Sequence, residues 1–231
     1  MRIMIYDTET TGLPPKKTDL TFETLDMFPH IVQFSYIIYD TEMEEIVEVR
    51  DHIIKMEKDI VIPEESIKFH KITQYISLTK GVDIRSVLNK FCYRLRSIDL
   101  LIAHNYSFDV QMVKAELMRS IKDKSTCLTQ KKVSTENLQF IENMSSYCTL
   151  RATINHCKLS TVGKYGNIYY KFPKLIELHD NLFHYVPDPE KMHNSLIDVI
   201  VTLRCYMKFK HDIDMKEGRC KTFKKLSSEC L

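Results

Sequence analysis

MRIMIYDTETTGLPP, residues 1–15, decides how this chain is read. An apolar run from Ile3 to Tyr6 stops at Asp7-Thr8-Glu9, and a polar turn with Gly12, Leu13, Pro14 and Pro15 follows. On an extended backbone, residues two apart point to the same side. Asp7 and Glu9 therefore present paired carboxylates where the chain leaves the core. Such a pair repels unless a cation or a proton sits with it. The strand end predicts a partner that the rest of the sequence must help to hold.

Downstream, Ile31–Asp40 (IVQFSYIIYD) and Ile46–Lys55 (IVEVRDHIIK) are rich in β-branched and aromatic residues and predict two more strands, joined as an antiparallel hairpin by a short connection. Pro63 with Glu64 and Glu65 marks a helix start, because free N–H groups and the helix dipole favour acids there. Apolar residues at helical spacing over Val82–Leu95 and Val110–Ile121 flank a strand at Asp99–Ala103. The Lys-rich stretch Lys122–Tyr147 reads as a surface loop with a short helix, in which Lys122, Lys124, Lys131 and Lys132 could attract phosphate. Helices are expected over Pro173–Phe183 and Asn194–Phe209. The predicted fold is α/β, with helices packed on a sheet. Residues 1–210 read as one domain and 211–231 as a polar, loosely held C-terminal tail with room for a short helix.

Composition narrows the function classes. The 231 residues carry 33 Lys and Arg against 31 Asp and Glu, a formal charge of +2, so no global basic field announces a nucleic-acid partner. An anionic ligand would need a local patch or a metal. The seven cysteines (92, 127, 148, 157, 205, 220 and 230) are scattered, with no C-x-x-C pair, and read as reduced, mostly buried thiols. No apolar stretch is long enough for a membrane span, and the opening run is too short for a secretory core. These features predict a soluble intracellular protein of the cytoplasm or nucleus.

Acids recur at two further places. His104-Asn105-Tyr106-Ser107-Phe108-Asp109 follows the strand DLLIA and leads into a helix, which puts Asp109 near the C-terminal edge of the sheet, the usual ligand side of α/β folds. His193-Asn194-Ser195-Leu196-Ile197-Asp198 opens the last long helix. If Asn194 caps it, Asp198 lies about one turn inside, among Leu196, Ile197 and Val199. A carboxylate in such surroundings needs a partner. Four acids gathered in one pocket would require cations or bound protons, and an all-oxygen donor set suits Mg²⁺ or Mn²⁺ better than zinc.

The order D-x-E, then H-N-x-x-F-D, then H-x-x-x-x-D resembles the DEDDh branch of the 3′–5′ exonucleases, the family of the DNA polymerase III epsilon proofreading subunit, RNase T, oligoribonuclease and the three-prime repair exonucleases. FPHIVQFSYIIYD, IPEESIKFHKIT, YCTLRATINHCKL and FPKLIELHDNLF are similar to further family segments, so the resemblance spans roughly Met1 to Lys210.

The resemblance implies an RNase H-like fold with a central mixed five-stranded sheet, and hydrolysis of nucleic acid from its 3′ end with release of nucleoside 5′-monophosphates. It implies two Mg²⁺ ions about 3.5–4 Å apart, with Mn²⁺ able to substitute. Asp7, Glu9 and Asp198 would hold the first, Asp7 would bridge to the second, and Asp109 would reach the second largely through water. His193 would act as general base. Thr10, Thr11, Leu13 and His70 would meet the terminal nucleotide, while His104, Asn105 and Phe108 would border the phosphate path. Single-stranded DNA is the expected substrate, an exoribonuclease of the oligoribonuclease or RNase T kind is the alternative, and a catalytically silent nucleic-acid-binding scaffold is a third reading. A polymerase or repair complex in trans, in proofreading or DNA repair, and a homodimer are the partners the resemblance suggests.

Overall fold

The computed structural model describes residues 1–228 and 231. A five-stranded sheet runs in the order β3-β2-β1-β4-β5, from β1 (Arg2–Thr10), β2 (Ile31–Asp40), β3 (Glu45–Ile53), β4 (Leu100–Ala103) and β5 (Ser146–Cys148). β2 pairs antiparallel with both β1 and β3, whereas β4 pairs parallel with β1 and β5, so the sheet is mixed as expected. β2 is buried along its whole length, which fits its largely apolar text; Gln33, Ser35 and Asp40 are its buried polar residues.

Helices cover both faces, and the period-2 alternation of β1 assigns each of its residues to one of them. Met4 and Tyr6 pack into a core with α3 (Ile84–Leu95) and α4 (Tyr106–Lys122). Ile3 and Ile5 pack into a second core with α9 (Ser195–His211). Asn194 caps α9, its side chain accepting from the N–H groups of Leu196 and Ile197. Between the strands lie α1 (Glu64–His70), with Pro63 just ahead of it, and α2 (Gln74–Lys80), which Thr73 caps.

Two expectations need correction. Lys122–Tyr147 is not a loop with a short helix, because α5 (Leu128–Glu142) fills fifteen of its residues. Its seam with the neighbouring helices is largely polar: Ser134 donates to Ser120, Asn89 and Gln130 exchange amide hydrogen bonds, and Arg96 donates to Asn137. A polar seam leaves no apolar stripe to betray the helix. The segment after 210 is not loosely held: Met215, Cys220 and Phe223 are buried in the core around Ile3 and Ile5. Arg204 of α9 forms a bidentate pair with Asp214 at 2.7 and 2.8 Å and stacks over Phe183, and α10 (Lys221–Ser227) closes the chain against the sheet.

The remaining elements are α6 (Thr149–Ala152), α7 (Ile154–Cys157), a separate hairpin of β6 (Ser160–Val162) and β7 (Ile168–Tyr170), and α8 (Leu175–Phe183). Cys92, Cys157, Cys205 and Cys220 are buried free thiols, Cys127 is exposed, and Cys230 lies outside the described residues. Among the described residues no helix is long and apolar enough to cross a membrane.

Candidate active site

Alternation along β1 builds the site. Asp7 and Glu9 share the face of Ile3 and Ile5 and meet Asp198 of α9, while Thr8 looks the other way, towards α4. Thr8 grips Asp109 twice: its N–H and its hydroxyl both donate to Oδ1, at 3.0 and 2.8 Å. Asn105 opens α4 with a left-handed φ of 74°, which turns the chain sharply from β4 so that Asp109 comes back over the end of β1. On the other side, the Ser195 hydroxyl donates to the Asp7 carbonyl oxygen at 2.7 Å, and its N–H donates to Oε1 of Gln33 at 3.2 Å. Those bonds pin the start of α9 to β1 and β2, and Asp198 follows within the first turn.

The four carboxylates lie close together, Asp109 and Asp198 buried and Asp7 and Glu9 partly exposed, and they disturb one another. Burial lifts Asp7 to about 7. Burial, then Asp7, Asp198 and Asp109, lift Glu9 to about 10. Asp109 and Asp198 are also pushed well up, by burial first and the Asp7 charge second. Asp7 Oδ2 and Asp198 Oδ1 are buried with no hydrogen-bond partner among the described residues. Buried anionic oxygens without partners are costly, and hard-oxygen donors converging in this way fit a divalent cation. Glu9, His193 and Asp198 each offer a ligand atom within 4.8 Å of the others. The pocket is thus a candidate metal site.

His193 stands at the rim of this pocket. Its backbone is left-handed (φ 63°), its ring meets the edge of Phe69 at 5.5 Å, and burial, with the nearby Lys174 charge, lowers its pKa. The substrate-side expectations divide. Leu13 is 84% exposed and open to a ligand. The Thr10 hydroxyl is turned inward, donating to the Gly12 carbonyl at 2.6 Å, and the Thr11 hydroxyl accepts from the His30 N–H at 3.0 Å. Both side chains shape the loop, and the Ser66 hydroxyl fastens it further through the Thr11 carbonyl at 2.8 Å. His70 is buried behind the loop with Nδ1 accepting from the Ile72 N–H, and burial, opposed by the Thr10 backbone, lowers its pKa.

His104 does not face open solvent: Nδ1 bonds the Thr149 hydroxyl and Nε2 the Pro173 carbonyl, and burial takes its pKa down to about 4. A neutral ring so engaged holds β4 to the segment before α8. Phe108 is half-buried against the larger core, and exposed Asn105 accepts from the Ser107 hydroxyl. Thr8, Ser195 and Phe69 were missed by sequence reasoning. Thr8 carried a signal, since the middle residue of D-x-E must address the opposite face; Phe69 carried none.

A profile of the RNase_T family, described as exonuclease, matches residues 4–206. The chain belongs to this exonuclease family. Among solved structures it is similar to E. coli exonuclease I in complex with a dT13 oligonucleotide, with a TM-score of 0.59 and 15% identity over 91% of this chain and 42% of that one. It is similar, too, to the zinc-bound form of an E. coli exonuclease I complex with single-stranded DNA (TM-score 0.55, 15% identity, 91% and 41%). The moderately thermophilic exonuclease I of Methylocaldum szegediense gives a TM-score of 0.54 at 15% identity, over 93% and 42%. The chain spans less than half the length of these structures. No curated protein matches it by sequence.

Proposed function

We propose that this chain is a metal-dependent 3′–5′ exonuclease that removes nucleoside 5′-monophosphates from single-stranded DNA. The observation that carries the reading is the convergence of Asp7, Glu9, Asp109 and Asp198, with buried oxygens of Asp7 and Asp198 unpartnered. Family membership supports it, and the solved relatives holding dT13 and other oligonucleotides favour DNA as the substrate.

In this reading Asp7, Glu9 and Asp198 would hold one Mg²⁺ and Asp7 with Asp109 a second, and the metal would supply positive charge beside the scissile phosphate. Thr8 keeps Asp109 aimed, through its two hydrogen bonds. His193 accepts a proton from the attacking water; its lowered pKa keeps the imidazole neutral and receptive near pH 7. Leu13 packs on the terminal base, and the loop tied down by His30 and Ser66 fixes the depth to which the 3′ end enters.

The test is a time course on 5′-labelled DNA and RNA oligonucleotides with Mg²⁺, beside an Asp7→Asn control. A ladder shortening from the 3′ end of DNA, absent in the control, is expected. Degradation of RNA alone would assign the chain to the exoribonucleases, and binding without release of mononucleotides would make it a scaffold.

A further inference from the structure

Between Glu142 and Glu177 the sequence carries no acid at all, yet it holds Arg151, Lys158, Lys164, Lys171 and Lys174. In a chain whose charges otherwise nearly balance, this is a local field of +5, reduced to about +4 by the ion pair of Lys171 with Glu177. The same stretch forms the β6–β7 hairpin, turned at Gly166 with φ +81°. The ladder pairs Val162 with Ile168 and Ser160 with Tyr170, and Lys171 N–H continues it to the Leu159 carbonyl. Alternation therefore puts Val162, Ile168, Tyr170 and Phe172 on one face, and all four are exposed. Tyr165, at the turn, is 89% exposed.

An apolar, aromatic sheet face is costly to leave in water unless something covers it. The hairpin leads directly into the catalytic pocket. The carbonyl of Pro173 bonds His104, the ring of Phe172 lies under Arg151 at 5.8 Å, and the charge of Lys174 acts on His193. Side chains two apart on a strand repeat about every 6.7 Å, close to two stacked bases at about 3.4 Å per nucleotide. Rings to stack on, cations to follow phosphates and a path to the 3′-end pocket are the features of a single-strand binding platform.

We infer that the hairpin from Lys158 to Phe172 is a second nucleic-acid subsite, which holds the unpaired strand upstream of the terminal nucleotide by stacking bases on Tyr165, Tyr170 and Phe172 while Lys158 and Lys164 track its phosphates. The inference rests on the exonuclease function proposed for the pocket and adds to it a surface outside that pocket. Lys158 and Lys164 form no ion pair among the described residues, so their charge is available to a strand.

The experiment compares two substrates. The dT13 oligonucleotide reaches both the pocket and the hairpin, whereas the p-nitrophenyl ester of thymidine 5′-monophosphate fills only the pocket. In a Tyr165→Ala/Tyr170→Ala variant, kcat/KM for dT13 should fall roughly 5- to 100-fold, with ester hydrolysis within twofold of wild type and Tm unchanged. In Lys158→Ala/Lys164→Ala, the slope of log kcat/KM against log salt concentration should flatten by about 1.4, or 0.7 for each phosphate no longer neutralised. Wild-type turnover of dT13 with both variants unchanged would overturn the platform and leave the exonuclease intact. So would equal losses on both substrates. Wild type inactive on both would sink the exonuclease reading itself. A dimer in sedimentation that the tyrosine variant dissolves, with dT13 kinetics unchanged, would give the face to a second copy of the chain instead.

Discussion

Replacing Glu116 by Gln tests how the loop around the candidate site is held. Glu116 is buried on α4, seven residues beyond Asp109, and its Oε1 accepts from the Ile31 N–H at 3.2 Å and from Arg119 at 2.7 Å, with His30 Nδ1 at 3.4 Å. Arg119 in turn donates to the carbonyls of Phe28 and Pro29, and the His30 backbone holds Thr11. Burial works against the charge of Glu116, but the His30 contact, Arg119 and the Ile31 N–H outweigh it and keep the carboxyl below its ordinary range.

Glutamine keeps an acceptor and loses the charge, so a charge-assisted hydrogen bond becomes a neutral one and Arg119 stays behind with its cation. That costs about 1.5–3 kcal/mol, or a fall in Tm of roughly 3–12 °C for a chain this size. The sign with pH follows from the depressed pKa. The stabilisation is present in full above the unfolded value near 4.5 and is lost as pH falls through the lower folded value. Thermal unfolding of wild type and Glu116→Gln should therefore differ most at pH 6–7, and the gap should shrink as the pH falls below about 4.5. A gap in Tm that is constant from pH 7 to 3, or no gap at pH 7, would refute this account.

Gly81→Ala should lower stability by about 3 kcal/mol, seen in urea unfolding, because a Cβ there would meet backbone atoms at 2.2 Å (Ser77 O) and 2.5 Å (Lys55 N); an unchanged midpoint would contradict that crowding. Phe223→Ala should cost about 3–5 kcal/mol, and a neutral result in calorimetry would mean that the last helix does not contribute to the core. Millimolar Mg²⁺ should raise the wild-type Tm over that in EDTA, and Asp198→Asn should abolish most of that rise and all activity; an undiminished rise would remove Asp198 from the ligand set.

Much of this fold was legible because the physics is local. The β1 run ending in D-T-E, the Asn194 cap and the proline-marked start of α1 each depend on neighbours in sequence, and each element lies within a few residues of its expected position. What escaped depends on partners far along the chain. α5 is held by hydroxyl and amide pairs with α3 and α4, which leave no periodic stripe. The tail packs because Phe223 and Met215 fill space beside Ile3 and Ile5, residues 210 to 220 positions earlier. For the site, the acids could be read from residue type and spacing. The doubly engaged ring of His104 could not, because its partners, Thr149 and Pro173, are chosen by the tertiary fold.

Consecutive residues of β1 speak to opposite sides of the sheet, Asp7 and Glu9 to the α9 side and Thr8 to the α4 side. The reading frame of the strand is therefore binary. Substitutions can adjust any of its positions one at a time, but a single-residue deletion between Arg2 and Tyr6 would exchange the two sides at once. Both carboxylates would then be delivered to the wrong helix and the clamp on Asp109 to the wrong face. The strand should therefore tolerate exchange of side chains at fixed length far better than any change of length, and a functional homologue should count the same number of residues from the β1–β4 pairing to its first acid.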